Sequence, residues 1–275
     1  MILSDIHTHS SFSADACDCL ADMVWRAKRL GLRYYGTAEH FDCDYIPLGL
    51  TYEGGAPVYT DASGYFASAR ALQREACDGA FTYLAGAEFG YSDDEGVIAA
   101  YRRMIAEYSP DFIINSVHTC DGADCWYESY FSGKDRRTAY SRYLMRVIRS
   151  LSAPYPYDIV AHVGYVSRNA PYADAKLNYC EFSELYDEIL RGVISRGKIL
   201  EVNASARGAG SAFLPDCDVL ARYAELGGTK LSFASDAHEL SAIARGGDGV
   251  AAALKKLGFT RLTVPCRGLE LEVEL

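Results

Sequence analysis

Seven short apolar runs, each followed by an amphipathic stretch with 3.6-residue spacing, constrain this chain more than any other feature. The runs cover Ile2–His7, Tyr34–Ala38, Tyr83–Glu88, Phe112–Val117, Ile159–His162, Ile199–Asn203 and Leu231–Ala234. They read as strands, and the segments between them read as helices. Helices are predicted over Leu20–Leu30, Tyr65–Ala76, Glu95–Tyr108, Arg136–Leu151, Glu181–Arg196, Asp218–Leu226 and Gly249–Leu257. Asp18 is placed to cap the first of these and Gly31 to stop it, while Gly197 and the Gly227-Gly228 pair close two others. Repeated strand–helix units imply right-handed parallel crossovers. Either a closed barrel or a doubly wound open sheet satisfies them. The chain has 275 residues, no internal repeat and no Pro/Ser-rich linker, so residues 1–275 are expected to form one α/β domain. Three long connections, Asp42–Gly64, Thr119–Asp135 and Tyr165–Cys180, each follow a strand, where such scaffolds build active sites.

All six histidines (His7, His9, His40, His118, His162 and His238) fall at or just beyond the C-terminal end of a predicted strand. Side chains at i and i+2 of a strand point the same way, so His7 and His9 can offer two imidazoles to one ion. Neutral imidazole is the commonest metal ligand. Asp236 and His238 repeat this spacing at the last strand, Glu88 ends the third, and Asp15 follows the first. A buried carboxylate needs a partner, which for Glu88 is a metal or an arginine. For Asp15 a solvated or helix-capping role is the competing reading. If the strands close into a barrel, their C-terminal ends converge on one face. The histidines and carboxylates then form one metal site.

Charge and composition narrow the partners. The formal net charge is −10 and no dense Lys/Arg run exists, which argues against nucleic acid or an anionic membrane. No stretch of apolar residues is long enough to span a bilayer, and the start of the chain leaves no room for a signal peptide's regions. Nine cysteines, an odd number, fit reduced thiols better than a disulfide framework. A cytoplasmic protein is the expectation.

Taken in order, Asp5-Ile-His-Thr-His9, Asp15, Glu39-His40, Glu88, Ser116-Val-His118, His162 and Ser235-Asp-Ala-His238 resemble the motifs of the polymerase-and-histidinol-phosphatase (PHP) superfamily. The resemblance spans roughly residues 2 to 257. Glu39-His40-Phe41-Asp42, Ser116 to Gly122, Tyr130 to Tyr143 and Leu200-Glu-Val-Asn203 are most similar to its monofunctional histidinol-phosphate phosphatases. That resemblance implies a distorted (β/α)7 barrel with three divalent metal ions (zinc, iron or manganese) at the C-terminal face of the strands. One ion would take His7, His9, Glu88 and Asp236. A second would share Glu88 and add His118 and His162, and the third would use Asp15, His40 and His238.

The implied reaction is hydrolysis of L-histidinol phosphate in histidine biosynthesis. Its nucleophile would be a metal-bound hydroxide, with Glu88, His118, His162 and Asp236 holding the metals. Loop arginines Arg168 and Arg207 would grip the phosphate, because guanidinium forks match its oxygens, with a solvated arginine as the competing reading at each. Trp126, Tyr127 and Tyr172 sit on long loops, where clasping an imidazole ring and packing as local cover are the competing readings. The alternatives are a PHP phosphoesterase for another small metabolite or nucleotide, an amidohydrolase, and a non-catalytic metal-binding module. Amidohydrolases bridge their metals with a strand-end lysine, and none of the seven lysines is so placed.

Overall fold

Apolar runs that must be covered on both sides build a parallel sheet wrapped by helices, and the chain folds that way. The computed structural model describes residues 2–52, 55 and 60–275. Its main sheet has seven parallel strands: β1 (Ser4–Asp5), β2 (Tyr34–Phe41), β3 (Thr82–Gly90), β4 (Ile113–Ser116), β5 (Ile159–Val160), β6 (Ile199–Asn203) and β7 (Leu231–Ala234), neighbours in that order. After each comes a helix: α1 (Leu20–Arg29), α2 (Ala62–Ala76), α3 (Glu95–Tyr108), α4 (Arg136–Ser150), α5 (Ser183–Ser195), α6 (Cys217–Glu225) and α7 (Gly247–Lys256).

The sheet nearly closes. Past the ends of β1 and β7, Asp236 N donates to His7 O at 3.0 Å and His9 N to Ala237 O at 2.8 Å. Of the two open possibilities, the barrel holds. It is distorted: β2 and β3 share eight paired positions, whereas β4 and β5 share two. Phe112, 1% exposed, fills the interior beneath the rim. A Cβ on Gly86 of β3 would stand 2.3 Å from its ring, so this strand position must be glycine for the barrel to hold its plug.

Helix boundaries moved where local chemistry competed with periodicity. α2 begins at Ala62, three residues before the predicted start, because the Asp61 carboxylate accepts from Gly64 N at 3.0 Å. Asp18 does not cap α1. Its carboxylate accepts instead from Leu240 N at 2.6 Å, tying the loop after β1 to the one after β7. Gly31, Gly197 and Gly227 do end helices, at φ of 79°, 65° and 86°. The sequence reading had no strand beyond α7, yet β8 (Arg261–Cys266) and β9 (Leu269–Glu274) form an antiparallel hairpin. Glu270, Glu272 and Glu274 are exposed while Leu262, Val264 and Val273 are buried. Of the three long connections, residues 53–54 and 56–59 of Asp42–Gly64 lie outside the described residues.

Candidate metal centre

Strand register assembles the site. In the β2–β3 ladder His40 pairs with Glu88, so both side chains project to the same side at adjacent positions. β1 ends just before His7, β4 two residues before His118, β5 two before His162, and β7 two before Asp236. All six predicted histidines meet at this rim, with Asp15, Glu88 and Asp236 among them. Two backbones are bent into place: His162 and Asp236 have φ of 23° and 54°, conformations that cost energy and cluster at functional sites.

Glu88 is the hub, fully buried at 0% exposure. Its Oε2 faces His40 Nδ1 at 2.8 Å, His7 Nε2 at 3.3 Å and His9 Nε2 at 3.6 Å. Its Oε1 faces His162 Nε2 at 3.0 Å and His118 Nε2 at 3.2 Å, and accepts from Ser116 Oγ at 2.6 Å. Asp236 Oδ1 lies 3.4 Å from His9 Nε2. Asp15 Oδ2 lies 3.2 Å from His238 Nε2 and 3.5 Å from His40 Nε2. Donors bound at ~2.0–2.1 Å around a tetrahedral ion stand roughly 3.4 Å apart. The separations of 3.2–3.6 Å match, whereas His40 Nδ1 and His162 Nε2 stand closer to Glu88, at 2.8 and 3.0 Å. Buried polar atoms are normally hydrogen-bonded. Here His7 Nε2, His9 Nε2, His40 Nδ1 and Glu88 Oε2 have no hydrogen-bond partner among the described residues. Four donor atoms aimed at one another and otherwise unsatisfied fit divalent metal.

The electrostatics agree. Burial alone would raise the pKa of Glu88, but His7, His40 and His118 hold it well below the ordinary carboxylate range. Burial, with His40 and His238 beside it, pushes His9 down to about 3, leaving a neutral imidazole with a free lone pair. Burial opposes protonation of His7, and Glu201 and Glu88 overcome it and raise the pKa. Such clusters bind protons or metal in competition.

Carboxylates behind the rim orient the imidazoles, and sequence reasoning gave them no role. Glu201 Oε2 lies 2.6 Å from His7 Nδ1, which turns Nε2 toward Glu88. Asp42 Oδ1 does the same for His118 Nδ1 at 3.0 Å. A charged residue inside the apolar strand Ile199–Asn203 was the available signal for Glu201. Glu39 is not aimed at the cluster. It accepts from Ser10 and Ser13, and burial pushes it up to about 7.

The rim opens into a cavity of about 500 Å3 lined by metal-site residues and by Tyr45, Tyr52, Trp126, Tyr127, Tyr165, Arg168 and Arg207. Arg168 is buried, and its Nη2 donates to Asp236 Oδ2 at 2.9 Å and Asn203 Oδ1 at 2.8 Å. Arg207 is exposed, with its guanidinium 4.8 Å over the Trp126 ring. Tyr172 does not belong to the cavity lining. Its hydroxyl donates to Lys134 O and its ring packs on Phe131 and Tyr140. No lysine lines the cavity among the described residues, and no described helix is long and apolar enough to cross a membrane.

A histidinol-phosphatase from Lactococcus lactis is 28% identical over 235 residues, 85% of this chain and 83% of that one. A probable histidinol-phosphatase from Clostridium acetobutylicum is 24% identical over 234 residues, 85% and 86% of the two chains. The crystal structure of histidinol phosphate phosphatase from Lactococcus lactis, complexed with zinc, L-histidinol and phosphate, superposes with a TM-score of 0.82 at 25% identity, covering 98% of both chains. The PHP domain model matches residues 5–205, well over half the sequence, and the chain belongs to the PHP domain family.

Proposed function

We propose that this chain, acting as one barrel domain in the cytoplasm, is a metal-dependent phosphomonoesterase that hydrolyses L-histidinol phosphate to L-histidinol and phosphate. The observation that carries the reading is Glu88, whose two oxygens face separate sets of imidazoles: Oε2 faces His7 Nε2, His9 Nε2 and His40 Nδ1, which have no hydrogen-bond partner among the described residues, and Oε1 faces His118 and His162. The relatives named histidinol-phosphatase, and the solved structure holding zinc, L-histidinol and phosphate, support the substrate. His7, His9, Glu88 and Asp236 would hold one ion. Glu88, His118 and His162 would hold a second, and Asp15, His40 and His238 a third. Imidazole and carboxylate together suit zinc, iron and manganese. When bound, such ions lower the pKa of water and neutralise charge on the transferring phosphoryl group.

The chain's own residues do the remaining work. Arg168, fixed by Asp236 and Asn203, presents a preorganised guanidinium to phosphate oxygens. Arg207, braced on Trp126, closes over them from the solvent side. Glu201 and Asp42 hold imidazole orientation, and the aromatic loops limit water. Purified protein assayed on a panel of phosphomonoesters, with and without chelator and alongside elemental analysis, tests the reading. Chelator-sensitive turnover that strongly prefers histidinol phosphate is expected. Equal rates on unrelated sugar and nucleotide phosphates would sink the substrate, and metal-independent turnover would sink the mechanism.

A further inference from the structure

The cavity has a second end, built of rings around one carboxylate. Asp124 lies on the second strand of a short antiparallel hairpin after His118, Thr119–Cys120 paired with Ala123–Asp124, is 4% exposed and lines the cavity. Its Oδ2 accepts from the Tyr45 hydroxyl at 2.5 Å, and its Oδ1 accepts from Trp126 N at 2.8 Å and the Tyr165 hydroxyl at 3.2 Å. Each donor is neutral. Five carboxylates line the cavity: Asp15, Asp42, Glu88, Asp124 and Asp236. The other four face an imidazole or a guanidinium. Among the described residues Asp124 has no such partner.

A carboxylate removed from water keeps its charge at a cost unless a cation or several donors meet it. Three neutral donors hold Asp124 in place and leave room for one more on its two oxygens. The walls suit the same kind of guest. Tyr165 stands between the two ends of the cavity, its ring 5.1 Å from His118 and 6.2 Å from Trp126. Aromatic faces attract cations, and two of these already carry one: Arg168 lies 5.3 Å over Tyr165 and Arg207 4.8 Å over Trp126.

We propose that Asp124, walled by Tyr45, Tyr165 and Trp126, is the subsite for a cationic group on the alcohol side of the ester. The enzyme then sorts phosphomonoesters by a positive charge carried a few bonds from the scissile oxygen. This rests on the phosphomonoesterase reading above and adds the feature that separates an amine-bearing ester from a neutral one of the same size. A buried charge left without its partner penalises the neutral analogue, by ~10–100-fold for one charge-assisted hydrogen bond.

The test uses the metal-loaded protein and a matched pair, O-phosphoethanolamine and ethylene glycol monophosphate, with L-histidinol phosphate and glycerol 1-phosphate as a second pair. Wild type is expected to favour the cationic ester of each pair in kcat/KM by roughly tenfold or more. In Asp124→Asn, which keeps the shape and removes the charge, that ratio is expected to fall at least fivefold, mostly through KM. A wild-type ratio near one for the small pair overturns the proposal whether or not the variant folds. So does a ratio in Asp124→Asn that changes less than fivefold, which is what a merely structural Asp124 would produce. If histidinol phosphate alone is not cleaved, the substrate named above has failed, and the small pair still judges Asp124.

Discussion

Two buried carboxylates meet strand β3, one at each end of the barrel, and their surroundings differ in kind. Asp111, 2% exposed, takes Ala85 N of β3 at 2.9 Å, Gln73 Nε2 at 2.5 Å, Arg70 Nη1 at 2.8 Å and Arg267 Nε at 2.6 Å. Both of its oxygens are satisfied by permanent donors, and the turn of the β8–β9 hairpin is held to the barrel through it. Glu88, three residues along from Ala85, faces imidazoles that titrate and keeps one oxygen without a hydrogen bond. Burial is the same in both. What separates a structural acid from a site acid is whether the protein completes its hydrogen bonding or leaves it open for something that arrives later.

The sharpest way to break this contrast is to exchange its chemistry at Glu88. Glu88→Gln keeps the shape and removes the charge shared by both imidazole sets. Turnover on histidinol phosphate is expected to fall by at least ~1,000-fold, about 4 kcal/mol on the barrier, with the circular dichroism melt retained. A variant with a tenth of wild-type kcat would refute the hub assignment. Asp111→Asn is expected to do the reverse. It leaves kcat/KM within twofold and lowers stability by about 1–3 kcal/mol in urea titration, the scale for leaving buried donors such as Ala85 N and Gln73 Nε2 poorly satisfied. Loss of activity without loss of stability would erase the distinction.

Glu201→Gln tests the carboxylates behind the rim. Weaker fixing of His7 is expected to reduce metal affinity ~10–100-fold, read by competition with a chromophoric chelator. Unchanged affinity would mean that His7 is oriented by packing alone. The smallest effect is in acid. Burial would raise the pKa of Asp111, but Arg267, Ala85 N–H, Arg70 and Gln73 outweigh it and hold the pKa below the ordinary value. A group depressed on folding contributes stability above its unfolded pKa, and that contribution is lost as pH falls through the folded value. The melting temperature of metal-free wild type should therefore drop more steeply below about pH 4 than that of Asp111→Asn. Parallel acid limbs would show that Asp111 is not held low.

Much of this was legible in the chain. β6 and β7 coincide with their predicted spans, and α3 matches Glu95–Tyr108 at both ends, because apolar runs between turn residues leave few other options. The nine candidate ligands could be picked out because histidine and acid at strand ends are out of place among apolar neighbours. Asp18 was misread because its partner, Leu240 N, is 222 positions away. Tyr172 took the local-cover reading rather than the clasp, a choice that only packing makes, because aromatic loop residues look alike in sequence. The β8–β9 hairpin was missed because its outer face is polar and its attachment to Asp111 runs through one arginine in a turn.

Residue types and their period of alternation determined by themselves that strands would be parallel, helix-covered and tipped with histidines and carboxylates. Those are properties of short stretches, in which backbone geometry links neighbours a few positions apart. Only the tertiary structure decided which oxygen of Glu88 faces which imidazoles, that Glu201 and Asp42 aim His7 and His118, and that Asp124 meets three neutral donors at the cavity wall. Each of these depends on distances across the barrel between residues tens to hundreds of positions apart. Closure of the sheet, rather than any local preference, sets those distances.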